Sequence, residues 1–218
     1  MSINLDRMKG EASIKLDELN FELFVDFVFN RTQETERGFD EYKFGDTKVT
    51  TDHLIRLFCN PEFLLEEYNV EQIEEGFEFI TGLLCFVQFD GLLWDKRLLF
   101  SLRKELISAM FNLFSRLFAK KSFGTIDFMW WDILAYGYYM ENGQPEDEDG
   151  AKIQQSMFET LKQILEIDSQ ECQKSALHGL GHLKHSETET TINDFLRRHL
   201  VTDELRDYAK LCIDGTMG

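Results

Sequence analysis

Apolar residues recur at helical spacing along most of the chain. Leucine, phenylalanine and valine lie three and four positions apart over residues 16–30, with acidic residues mostly opposite them. The same spacing recurs in seven further stretches, 69–84, 97–121, 125–140, about 151–167, 170–185, 189–200 and 203–213. An apolar position every three to four residues gives a helix one continuous apolar side. The pattern therefore predicts an all-α protein with about nine helices.

Capping residues locate several of the helix boundaries. Asn69 and Gln72 have the spacing of a capping box, which predicts a helix start at this point. Thr50 or Thr51 is expected to cap the preceding helix, which should end before Pro61. The apolar stretch from 125 to 140 is expected to be a central, buried helix.

An acidic segment divides the chain at residues 141–150. It contains two glycines, one proline and five acidic residues. This composition is typical of a domain linker or of a long surface turn. We expect one helical domain over 1–218. The alternative is a helical bundle over 1–140 and helical hairpins over 151–218, joined by this acidic linker.

The net charge of the chain limits the classes of partner that it is expected to bind. The chain has 40 acidic and 23 basic residues and a net charge of −17. Such a field repels nucleic acid and anionic membranes and attracts basic proteins. No stretch is apolar over 18 residues, so no membrane span is predicted. The start lacks a secretory signal, and four scattered cysteines suggest reduced thiols. A cytoplasmic location is therefore expected.

Glutamates are concentrated between residues 62 and 78, where seven occur within 17 positions. A run of like charges on a helix is often only a solvated surface. The charges also repel one another, however, and a basic partner would neutralise this repulsion. We predict a surface that binds a basic protein partner. Its residues are Glu67, Glu71, Glu74, Glu75 and Glu78, joined by Glu146, Asp147, Glu148 and Asp149.

Basic residues are concentrated in one helix only. Residues 96–121 contain seven lysines or arginines and a single acid. These cations are expected to pair with the protein's own acids rather than with phosphate groups. The common phosphate-binding, hydrolase and metalloprotease motifs are absent from the sequence, so we predict no catalytic residues, no cofactor and no enzyme activity.

Three histidines are spaced four and three positions apart, at His178, His182 and His185. On a continuous helix they would share one side, and two histidines at this spacing can bind one metal ion. The sequence shows no further ligands near them. The main interpretation therefore assigns no metal, and the alternative is a metal-dependent helical enzyme centred on these histidines.

The same helix carries a family resemblance. Ala176, Leu177, Leu180, Gly181 and Leu183 form a pattern that resembles the packing helix of HEAT-type repeats. Gly179 and Gly181 lower helix propensity, which suggests that neighbouring helices approach closely here. The resemblance implies α-solenoid packing in the C-terminal third.

Together with the stretch from His53 to Ile80, this segment also resembles bacterial immunity proteins of polymorphic toxin systems. That resemblance implies a non-catalytic inhibitor that covers a basic toxin or effector with its acidic surface. The alternatives are a helical-repeat scaffold or adaptor and an inhibitor that imitates DNA.

Overall fold

Ten α-helices make up most of the described chain, which confirms the predicted all-α class. The computed structural model of the protein describes residues 14–30, 42–43, 45–85, 91–136, 145 and 147–217. The helices are α1 (Phe21–Phe29), α2 (Thr47–Cys59), α3 (Leu64–Glu67), α4 (Val70–Cys85), α5 (Phe100–Leu113), α6 (Thr125–Tyr136), α7 (Glu148–Leu165), α8 (Gln170–Leu183), α9 (Thr188–Arg198) and α10 (Asp203–Asp214). Two short strands, β1 (Ile14–Lys15) and β2 (Tyr42–Lys43), pair in parallel.

The capping box before α4 is confirmed. The backbone N–H of Asn69 donates to Gln72 Oε1 at 3.1 Å, and the N–H of Gln72 donates to Asn69 Oδ1 at 3.0 Å. Each side chain thus satisfies a backbone donor that the first helical turn would leave without a partner.

The prediction of a threonine cap for α2 is wrong. The helix begins at Thr47, and Asp46 caps it by accepting from the N–H of Lys48 at 2.9 Å. Thr50 and Thr51 lie inside the helix and are buried. The Thr51 hydroxyl instead donates to the carbonyl of Thr47 at 2.8 Å, within the same helix. An aspartate earlier in the chain therefore takes the capping role.

The predicted helix over 97–121 consists of two parts. Helix α5 covers Phe100–Leu113, and a π-helical turn continues it over Phe114–Phe118. In that turn Phe114, Leu117 and Phe118 are all buried. These three residues are spaced i, i+3 and i+4, so they share one side of the chain and continue the buried apolar side of α5.

Over 125–136 the predicted central, buried helix is confirmed as α6, and residues 137–140 of that prediction lie outside the described part of the chain. Trp130 and Trp131 of α6 are fully buried, and α6 packs against both α4 and α8. One cluster of buried apolar residues extends from Leu16 to Cys212. Helix α5 packs against α2 on one side and α7 on the other.

Both glycines of α8 lie where neighbouring elements come so close that a side chain would not fit. A Cβ atom on Gly179 would lie 2.5 Å from the Cβ of Trp131 and 2.8 Å from Leu161 Cδ2. A Cβ atom on Gly181 would lie 2.9 Å from the carbonyl oxygen of Cys212. The predicted close approach is therefore confirmed, and it allows α8 to pack against α6, α7 and α10. The resemblance to HEAT repeats stays a prediction.

No membrane-spanning helix is present among the described residues. None of their helices combines the length and the apolar character that crossing a bilayer requires.

Candidate functional site

Four glutamates of α4 share one side of the helix. Glu71, Glu74, Glu75 and Glu78 fall within an arc of roughly 100° when successive residues are rotated by 100°. We call these four residues the acidic face. The opposite side of α4 is apolar and fully buried, with Ile73, Phe77 and Ile80 in the core. The buried stripe therefore fixes the direction in which the acidic face points.

Most acids of this region have no cation beside them. Glu71 and Glu78 are exposed, Glu74 and Glu75 are half-buried, and Glu67 is exposed at the end of α3. Among the described residues, the carboxylates of Glu67, Glu74, Glu75 and Glu78 form no ion pair. Like charges three and four positions apart on a helix repel one another. Within the described part of the chain, no ion pair therefore offsets the repulsion among Glu74, Glu75 and Glu78.

The other predicted acidic residues are paired within the protein. Asp147 Oδ2 accepts from Lys96 Nζ at 2.6 Å, and Glu148 Oε1 lies 2.6 Å from Lys152 Nζ. Asp147 also caps α7 by accepting from the N–H of Gly150 at 2.8 Å. Glu146, which was predicted to belong to the same surface, lies outside the described residues.

Asp149 forms the most buried of these ion pairs. Both of its carboxylate oxygens accept from the Arg103 guanidinium, at 2.6 and 2.8 Å. Arg103 is only 2% exposed, and it also donates to the carbonyl of Leu93. The hydrogen bond from Arg103 holds the pKa of the Asp149 carboxyl below its usual range. This pair is a bidentate, charge-assisted contact that joins α5 to α7.

The basic stretch 96–121 thus pairs largely with acids of the same chain, as predicted. Besides the contacts of Lys96 and Arg103, Arg97 donates to both oxygens of Asp95, at 2.8 and 3.0 Å. Arg116 donates to Glu62 Oε1 at 2.6 Å and to the carbonyl of Cys59. These contacts use Glu62, which lies just ahead of the acidic face, but they do not reach α4.

Two large apolar side chains are exposed in the same part of the chain. Leu65 on α3 and Val70 at the start of α4 are each 40% exposed. They lie close in sequence to Glu67 and Glu71. A surface that combines acids with partly exposed aliphatic residues can offer a protein partner both charged and apolar contacts.

The prediction that three histidines share one side of α8 is wrong for His185. The helix ends at Leu183, because Lys184 adopts a left-handed backbone conformation with φ of 50°. His185 therefore lies beyond the helix, stacked on the ring of Phe158 at 3.9 Å between centroids. Its Nε2 lies 3.0 Å from Gln155 Oε1. Helical spacing does not extend past a left-handed residue.

An aspartate from another helix takes the third position instead. Asp132 on α6 lies with His178 and His182, and one ligand atom from each residue lies within 4.8 Å of the other two. Asp132 is not among the residues predicted from the sequence, because α6 and α8 are far apart along the chain. An acidic residue in the middle of a largely apolar, central helix was the signal that could have found it.

His178 is the most enclosed member of this group. It is 4% exposed, its ring packs against Phe128 at 4.5 Å between centroids, and its Nδ1 lies 2.6 Å from the Tyr208 hydroxyl. Burial and the neighbouring His182 lower the pKa of His178 to about 4, so the ring is neutral near pH 7. Burial also raises the pKa of the Tyr208 hydroxyl.

No protein-family model matches the chain, and no curated protein or solved structure is significantly similar to it. The proposals below therefore rest on the geometry and charge of the described residues.

Proposed function

We propose that the protein binds a basic protein partner through the acidic face of α4 and inhibits that partner without catalysing a reaction itself. One observation carries the proposal. Carboxylates of Glu74, Glu75 and Glu78 have no cation beside them in the described structure, whereas the acids at the start of α7 do. The acidic face thus retains charge that a cationic partner can neutralise.

Repulsion within the acidic face favours such a partner. The spacing gives two pairs four positions apart, Glu71 with Glu75 and Glu74 with Glu78. Each like-charged pair of this kind destabilises a helix by about 0.2–0.5 kcal/mol. Lysine or arginine side chains docked against them would replace repulsion by attraction. The same field would also steer a basic protein toward α4 and raise the association rate.

Leu65 and Val70 supply the apolar component of the proposed surface. Charge complementarity contributes mainly to specificity and association rate, while buried apolar contacts contribute most of the affinity. Both side chains are large enough to enter shallow pockets on a partner. Their partial exposure beside Glu67 and Glu71 would let one partner contact both kinds of residue.

The proposed inhibition is steric and electrostatic. A toxin or effector that acts on an anionic substrate needs a basic active-site surface, and the acidic face would cover that surface and compete with the substrate. This mechanism agrees with the resemblance to immunity proteins of polymorphic toxin systems.

A cytoplasmic location forms part of the same proposal. Cys59, Cys172 and Cys212 are free thiols. Burial raises the pKa of Cys172 to about 11 and that of Cys212 to about 12, so both stay protonated. Reduced, unreactive thiols suit a reducing compartment.

Charge reversal with a matched control tests the proposal. One variant replaces Glu71, Glu74, Glu75 and Glu78 by lysine, and the control replaces the exposed acids Glu105, Asp168, Glu171 and Asp214 by lysine. Both variants change the net charge equally, so they differ only in where the charge is changed. Each protein is used to capture partners from a lysate of the source cells at low salt and at about 0.5 M salt.

The expected result is one stoichiometric basic partner that the wild type and the control variant capture at low salt. The α4 variant should lose it while keeping the circular dichroism spectrum of the wild type. Purified partner should then lose its own activity when the wild type is added, and keep it when the α4 variant is added. Equal capture by the α4 variant, or a captured partner whose activity is unaffected, would contradict the proposal.

A further inference from the structure

Three side chains with metal-binding atoms meet where α6 packs against α8. Asp132 comes from α6, and His178 and His182 lie one turn apart on α8. His182 Nε2 lies 3.4 Å from Asp132 Oδ1. Two ligands on a tetrahedral zinc ion, each about 2.0–2.1 Å from the metal, are separated by about 3.3 Å. The distance between these two atoms therefore already matches one edge of a zinc coordination sphere.

His178 provides a second, independent observation. It is 4% exposed, and its Nε2 is buried without a hydrogen-bond partner in the described structure. Buried polar atoms nearly always have a partner, because leaving one without costs free energy. Histidine binds a metal ion as the neutral imidazole, through the lone pair of its unprotonated ring nitrogen.

Tyr208 fixes the orientation of His178. The Tyr208 hydroxyl lies 2.6 Å from Nδ1. In the tautomer in which Nδ1 donates its proton to this hydroxyl, the lone pair of the ring lies on Nε2. Histidines that bind metals almost always donate their other N–H to such a supporting group. Phe128 packs against the same ring and limits its rotation.

We propose that Asp132, His178 and His182 bind one divalent transition-metal ion of the zinc class. Two histidine nitrogens and one carboxylate oxygen are ligands that Zn²⁺ and Fe²⁺ accept, whereas Mg²⁺ and Ca²⁺ prefer oxygen alone. The side chains of Asp132 and His182 are 18% and 22% exposed, so the proposed site opens to solvent on their side. A fourth ligand, from water or from a bound molecule, can approach from there.

The proposed ion would link α6 to α8. Its ligands come from two helices that only the folded chain brings together, so binding should favour the folded state. The proposed site lies on helices α6 and α8 and uses no residue of the acidic face. The test of metal binding can therefore succeed or fail independently of the test of partner binding.

Metal titration of the full chain tests the inference. The protein is prepared without a histidine tag, treated with EDTA and dialysed. It is then titrated with Zn²⁺ by calorimetry and with Co²⁺ by visible absorption, which reports tetrahedral coordination. The wild type should bind one equivalent of Zn²⁺, show the tetrahedral Co²⁺ spectrum and unfold at a higher temperature with Zn²⁺ than without it.

Three variants and one control assign the ligands. Asp132→Asn keeps the shape of the side chain, and both it and His182→Ala should abolish the tight site. Tyr208→Phe removes only the supporting hydroxyl and should weaken Zn²⁺ affinity about 10- to 100-fold. His185→Ala is the matched control, because His185 lies beyond the end of α8 and should not affect binding.

Two results would overturn the inference. One is a wild type that binds no stoichiometric Zn²⁺ after EDTA treatment. The other is tight binding that survives in Asp132→Asn and His182→Ala, or that His185→Ala reduces as strongly as they do. All variants should give the circular dichroism spectrum of the wild type, so that lost binding is not lost folding.

Discussion

Two acidic regions of this protein look alike in sequence and differ in the structure. The start of α7 contains Asp147, Glu148 and Asp149, and each carboxylate forms an ion pair with a lysine or arginine of the chain. In the acidic face, Glu74, Glu75 and Glu78 form no ion pair with any described residue. A dense run of acids is thus not by itself a surface for a partner. What distinguishes the two regions is whether folding brings a cation beside them.

The helices packed against each region explain the difference. Helix α7 packs against α5, and the basic stretch that includes α5 supplies Lys96 and Arg103. Helix α4 packs mainly against α1 and α6. Neither Phe21–Phe29 nor Thr125–Tyr136 contains a lysine or an arginine. These two neighbours therefore bring no cation to Glu74, Glu75 and Glu78, which form no ion pair with any described residue.

The largest expected effect on stability comes from breaking the Arg103–Asp149 pair. Asp149→Ala leaves the guanidinium of Arg103, which is 2% exposed, without its carboxylate. Removing one partner of a buried ion pair costs about 3–5 kcal/mol, because the remaining charge stays buried. The free energy of unfolding, measured with urea near neutral pH, should fall by about that amount.

Glu148→Ala is the control for this prediction. Glu148 lies in the same helical turn, but it is exposed and pairs only with Lys152 along the helix surface. Exposed pairs of this type contribute little. The free energy of unfolding should therefore hardly change. Equal effects of the two substitutions would mean that the buried Arg103–Asp149 pair contributes no more to stability than the exposed pair.

Acid pH should remove the same contribution. The Arg103 guanidinium holds the pKa of Asp149 below its usual range in the folded protein, so at low pH the unfolded chain binds the proton more readily. The stabilisation is complete above the ordinary aspartate pKa and is lost as pH falls through the lower folded value. The difference in unfolding free energy between wild type and Asp149→Ala should shrink below about pH 5. A difference that stays constant down to pH 3 would contradict this account.

Neutralising the acidic face should have a smaller effect in the opposite direction. Substituting glutamine for Glu74, Glu75 and Glu78 removes like-charge repulsion and breaks no ion pair of the described structure. The expected gain is a few tenths of a kcal/mol for each relieved pair. Urea unfolding at low salt should show higher stability for the variant, and added salt should reduce the gain. Lower stability would indicate that these glutamates have stabilising partners.

Local features of the fold were predictable from sequence, and contacts between distant segments were not. Asn69 and Gln72 interact across three positions, so their spacing alone identifies the capping box. Gly179 and Gly181 indicated close packing, because glycine has a low helix propensity and its presence inside a helix suggests that a side chain would not fit there. The buried stripe opposite the acidic face followed from helical periodicity in the same way.

The candidate metal site could not be predicted from helical periodicity, because it depends on contacts between helices that are distant in sequence. Asp132 joins His178 and His182 through packing of α6 on α8, which no spacing along the chain reveals. His185 leaves the group because Lys184 is left-handed, and lysine is not a residue that normally marks such a helix end. The cations that pair with Asp147 and Asp149, Lys96 and Arg103, likewise come from a distant part of the chain.

The rate of association with the captured partner tests the central claim most directly. It is measured for three proteins between about 0.05 and about 0.5 M salt. These are the wild type, a variant with Glu71, Glu74, Glu75 and Glu78 replaced by glutamine, and a control with Glu105, Asp168, Glu171 and Asp214 neutralised to glutamine or asparagine. If the acidic face is the docking surface, the rate falls steeply with salt for the wild type and the control, and much less for the α4 variant. Identical salt dependence in all three proteins would contradict the claim.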